Sequence, residues 1–130
     1  MRAARMPGLS LAQTVEDCRA CAVTCDETLA TCLELGGRFA DQDLLGVLQD
    51  AAGLSRLCAE LLERESPAAG ALCVLCADAC TDCADACMEV LDEPQLLRCL
   101  AMARAAAAAV REWAWTAQPV RLTSIPTSAG

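Results

Sequence analysis

The chain has 130 residues, with 10 Arg, no Lys, 18 Asp plus Glu and no His, giving a formal net charge of −8. A hydrophobic content of 55% excludes a disordered chain, and the length suits one domain with a modest core. An acidic chain without a Lys cluster is unsuited to nucleic acid, and the lack of His removes imidazole acid/base catalysis, Cys-His dyads and His-ligated zinc.

In chain order, residues 1–10 read as a flexible N-terminal segment. A first helix is expected over about 11–35, stopped by Gly36 and Gly37. A second opens with Asp41 or Asp43 as N-cap and runs over about 42–64. Ser66-Pro67 signals a third start, giving a helix over about 67–91. Asp92-Glu93-Pro94 repeats that chemistry before a fourth helix over about 94–117, and residues 118–130 read as a flexible tail. Four such helices with short connections predict an all-α, up-down-up-down antiparallel four-helix bundle over residues 11–117. A shift of 55 residues places Cys18, Cys21, Cys25 and Cys32 on Cys73, Cys76, Cys80 and Cys87, as a duplicated helical hairpin would.

The eleven cysteines are the dominant feature. Cys73, Cys76, Cys80, Cys83 and Cys87 recur at steps of three and four, which holds them within an arc of roughly 80° on one helix face. Cys18, Cys21, Cys25 and Cys32 make a similar stripe on the first helix. The acidic residues of the third helix, such as Asp78, Asp82 and Asp85, fall on its other faces, so the thiols occupy the core-facing seam. Antiparallel order places Cys58 and Trp113 at the level of Cys18 and Cys73. The same order places Cys99 at the level of Cys32 and Cys87, and turns Met102 inward near Cys83 and Thr28.

Several chemistries compete for a thiol-lined axis. Cys is a small hydrophobe that fills one or two core positions well, but Leu or Ala would fill two whole seams without the risk of oxidation. Disulfides between neighbours on one helix are disfavoured, since their Cβ atoms lie about 5–6 Å apart against roughly 3.5–4.5 Å in a disulfide. The start of the chain is too short and broken for a secretory leader, so a cytoplasmic protein with reduced thiols is expected. Thiolate selects Cu(I), zinc and iron–sulfur clusters. Zinc wants a closed tetrahedron, and the ferredoxin spacing is absent. Cu(I) is satisfied by two or three thiolates, which C-x2-C and C-x3-C steps supply in succession. The alternative kept open is an iron–sulfur or zinc thiolate bundle with a redox or sensing role.

The stretch SRLCAELLERESPAAGALCVLCADACTDCADAC at residues 55–87 resembles the Cys-rich four-helix-bundle copper storage proteins of bacteria, in their cytosolic branch. The resemblance rests on the repeated C-x2-C-A-x-x-C units, the Ser-Pro helix start and the R-L-C-A-E-L turn before it, and extends over about residues 11–117. It implies a bundle filled with several Cu(I) ions for storage or sequestration, no catalysis, and homo-oligomers, commonly tetramers. No nucleic-acid or membrane partner is implied, and any copper chaperone or efflux partner is unassigned. The implied ligands are Cys18, Cys21, Cys25, Cys32, Cys58, Cys73, Cys76, Cys80, Cys83, Cys87 and Cys99. Met102 and Met88 are candidate thioether donors. This chain departs from the family pattern in having no His, a Cys-poor fourth helix and a low cysteine total, which implies a reduced capacity. The alanine run at 105–109 reads as a close-packing surface, Trp113 as an inward residue, and Trp115 as a residue near an interface.

Overall fold

The computed structural model describes residues 10–116. It holds four helices: α1 (Leu11–Leu35), α2 (Gln42–Glu63), α3 (Ala69–Cys87) and α4 (Pro94–Thr116). Short 3-10 helices at Gly37–Ala40 and Met88–Val90 precede α2 and follow α3. The segments 1–9 and 117–130, expected to be flexible, fall outside the described residues, as does the Trp115 side chain.

Local chemistry sets the helix ends. The Ser10 hydroxyl accepts from the Gln13 N–H at 3.1 Å and starts α1. Gly36, at φ 69°, ends it with its N–H on the Cys32 carbonyl at 3.0 Å, a conformation that favours glycine. The Asp41 carboxylate accepts from the N–H groups of Asp43 (3.0 Å) and Leu44 (3.2 Å), satisfying two of the orphan donors that open α2. Ser66 behaves differently from the expected N-cap. Its hydroxyl accepts from Ala68 N–H at 3.1 Å, closing a two-residue turn, so regular α-helix begins at Ala69 rather than at Pro67.

The helices form an antiparallel bundle in which α1 and α3 each pack against both α2 and α4. The helices α1 and α3 therefore lie on one diagonal, and their inward stripes face each other across the axis. All eleven Cys are buried in the shared core. Small residues Ala51, Ala52, Ala59, Ala103, Ala106 and Ala107 are buried around them, which lets α2 and α4 approach the thiol seams closely. The alanine run divides between faces, with Ala106, Ala107 and Ala109 buried and Ala105 and Ala108 exposed. Exposed ion pairs, Arg19 with Glu63 at 2.6 Å and Arg56 with Asp26 at 3.0 Å, pin α1 to α2. Such exposed pairs are worth about 1 kcal/mol or less each, so the core decides stability. Among the described residues no helix is long and apolar enough to cross a membrane.

Candidate metal centre

The core face of α1 is built from Thr14, Cys18, Cys21, Cys25, Thr28 and Cys32, and that of α3 from Cys73, Cys76, Cys80, Cys83 and Cys87. Steps of three and four keep each set on one face. Every Cys is a free thiol. The shortest sulfur separations, 3.7–4.0 Å, lie far beyond the roughly 2.05 Å of a disulfide.

These separations join the thiols into a connected row. Cys58 on α2 lies 3.7 Å from Cys73 and groups with Cys18 and Cys76. Cys76 lies 4.0 Å from Cys80, Cys80 lies 3.9 Å across the diagonal from Cys21, and Cys21 lies 3.9 Å from Cys25. Cys25 in turn lies 4.0 Å from Cys83 and 3.9 Å from Cys99, and Cys83 is 3.9 Å from Cys99. In two groups, Cys18/Cys58/Cys76 and Cys25/Cys83/Cys99, all three sulfurs lie within 4.8 Å of one another. Each group takes one thiol from α1, one from α3 and one from α2 or α4.

Two sequence expectations are corrected. Cys99 does not sit at the level of Cys32. Its sulfur keeps the expected neighbour Cys87 but meets Cys25 and Cys83 rather than Cys32, deeper in the bundle. Met102 is only half-buried, because the α4 face turned to the core runs through Leu96, Cys99, Ala103, Ala106 and Val110. Thr28 is met instead by Gln95, whose amide Nε2 donates to the Thr28 Oγ1 at 2.9 Å. Trp113 is half-buried at the Cys18 end, where its indole N–H donates to Thr14 Oγ1 at 2.8 Å.

Sequence reasoning missed Ser55 and Gln95. Ser55 is fully buried and its hydroxyl lies 3.7 Å from the Cys76 sulfur and 3.5 Å from that of Cys80. The signal was available, since Leu48, Ala51, Ser55, Cys58 and Leu62 share the three-four spacing of one face. Gln95 is a polar residue in the first turn of α4 and carries no such signal.

The row is electrostatically uneven. Hydrogen bonds from Cys18, Cys58 and Cys80 hold the Cys76 thiol low, and those from Cys25, Cys83 and Cys87 do the same for Cys99. Cys25 is pushed up by its hydrogen bonds to Cys21, Cys83 and Cys99 and by burial, and Cys58 by those to Cys18, Cys73 and Cys76. Physically, one thiolate is stabilised by the S–H groups around it, and each further thiolate in the same dry core is resisted. A soft cation relieves that resistance. The donor set is pure thiol, with no imidazole in the chain and no carboxylate in either three-thiol group, which matches soft metals rather than hard ones.

Comparison with known proteins agrees with this chemistry. The family model described as copper storage protein matches residues 9–115. Neither the curated proteins nor the solved structures give a match. With a match over most of its length and a thiol-lined four-helix core, the chain belongs to the copper storage protein family.

Proposed function

We propose that this protein binds several Cu(I) ions through its core thiolates and stores or sequesters them in the cytoplasm, without catalysing a reaction. The observation that carries the reading is the connected row of buried thiols spanning α1 and α3. All eleven cysteines serve as ligands in this reading, and at two thiolates per ion they hold roughly five or six Cu(I). Each ion enters as thiol protons leave, because the thiolate is the ligand. Bundles associate as homo-oligomers, as the family resemblance suggests.

Titration of the reduced protein with Cu(I) against a competing chelator tests the proposal. Uptake of about five equivalents is expected, and fewer than two would overturn it. Fractionation of the source cells tests the cytoplasmic assignment, which predicts the protein in the soluble intracellular fraction.

A second reading draws on Cys18, Cys58, Cys73 and Cys76, four thiols gathered at one end of the row. Zinc takes four thiolates in a closed tetrahedron, and the three grouped thiols have Cys73, 3.7 Å from Cys58, beside them as a fourth donor. Metal analysis of protein from cells grown with both metals separates the readings. One tightly held zinc and little copper would favour the second.

A further inference from the structure

The thiols of α2 and α4 are few but not scattered. Each of these helices contributes a single Cys to the core, and each one completes a three-sulfur group. Between those groups lies the Cys21–Cys80 pair at 3.9 Å. There α2 presents the buried Ser55, whose hydroxyl lies 3.5 Å from the Cys80 sulfur, and with Cys58 and Cys99 already used no third thiol comes from α2 or α4.

The Cys25, Cys83 and Cys99 sulfurs form a nearly equilateral triangle with sides of 4.0, 3.9 and 3.9 Å. An ion at its centre lies at the side divided by √3, about 2.3 Å from each sulfur. That matches the roughly 2.3 Å of a zinc–thiolate bond, the scale of a first-row metal on thiolate, so the triangle is already sized for a planar three-coordinate ion. Cys21 and Cys80 belong to neither three-sulfur group, and their further neighbours Cys25 and Cys76 are already members of those groups, so the pair offers two-coordinate binding. A preformed third ligand adds a bond without the ordering cost of bringing a side chain to the metal.

Resting on the Cu(I) reading above, we infer that Cys58 and Cys99 convert two levels of the row into three-coordinate Cu(I) sites, which fill before the two-coordinate Cys21–Cys80 level between them. At each such site the three thiols bind as thiolates and their three protons leave to solvent. Neither copper nor sulfur changes oxidation state. The sparse cysteines of α2 and α4 thus set the coordination number and the order of filling.

The test is X-ray absorption at the copper edge of the full chain loaded with two Cu(I) equivalents. Three sulfurs per copper at about 2.3 Å are expected. The Cys58→Ala/Cys99→Ala double variant should fall to two sulfurs at a shorter distance, and the Cys32→Ala variant, altered outside both groups, should keep three. Two-coordinate copper in the wild-type chain, together with uptake of several equivalents, would overturn this inference and leave copper storage standing. Failure of the wild-type chain to take up copper would overturn both. The wild-type measurement alone decides, so poor folding of the double variant does not blunt the test.

Discussion

Cys21 and Cys80 are 59 positions apart in the chain and 3.9 Å apart at their sulfurs, on helices that share a diagonal of the bundle. The contact joins the two thiol seams at mid-length, where Ser55 adds a hydroxyl 3.5 Å from Cys80. Replacing both by Ala (C21A/C80A) should lower the Cu(I) capacity by about one equivalent, from roughly five or six. The cost to apo stability should be about 1 kcal/mol per lost sulfur, the size of a small buried group. Chelator competition and urea unfolding measure the two effects separately.

The bond from Trp113 to Thr14 ties the end of α4 to the start of α1. Thr14 spends its own hydroxyl hydrogen on the Ser10 carbonyl at 3.1 Å, so its oxygen is free to accept from the indole. Trp113→Phe removes the donor and should cost about 1 kcal/mol, a fall of roughly 3 °C in Tm. Copper capacity should not change, because no thiol is touched. A thermal melt of the apo protein with a parallel copper titration checks both halves.

Gln95 and Thr28 make a polar contact beside the thiol row, both buried. Thr28 donates to the Thr24 carbonyl at 2.7 Å and accepts from Gln95 at 2.9 Å. Thr28→Val leaves the Gln95 N–H group without that acceptor and should cost about 1–3 kcal/mol. Thr28→Val combined with Gln95→Leu should recover part of the loss, since replacing both partners removes the unsatisfied group. A double-mutant cycle in urea reads the coupling.

Burial pushes the Cys32 thiol up, with Cys99 and Glu93 adding to the effect. A thiol raised in the fold stays protonated where the unfolded chain has begun to ionise. Its stabilising contribution is therefore full below the unfolded thiol pKa, about 8.5, and is lost as pH rises through the folded value. The stability advantage of the wild-type chain over C32A should shrink between about pH 8 and pH 10. Melts of the two reduced apo proteins across that interval measure the difference, and an advantage that grows with pH would contradict the assignment.

The thiol seams were legible because helical spacing acts on neighbours in the chain. Cys73 to Cys87 at steps of three and four can face only one side of α3, and that side has to be buried. The caps at Ser10, Gly36 and Asp41 were of the same local kind. The level of Cys99 was legible only in part, with Cys87 its neighbour and Cys25 in place of Cys32, because that level depends on how residues 88–93 close. Met88–Val90 forms a 3-10 helix, which advances about 2.0 Å per residue rather than 1.5 Å, and the packing of α4 sets the rest. Ser55 went unnoticed although its register was visible, because residue type pointed to the surface more strongly than position pointed to the core.

An acidic, His-free helical bundle with soft ligands on two inward stripes was readable from residue types and their order. Composition and the 3.6-residue period suffice for that, since both act along the chain. Which thiols meet across the axis emerges from the packed bundle alone. Placing Cys25, Cys83 and Cys99 at the corners of one triangle depends on the relative heights of three helices. Those heights follow from side-chain packing and loop closure, which no local spacing encodes.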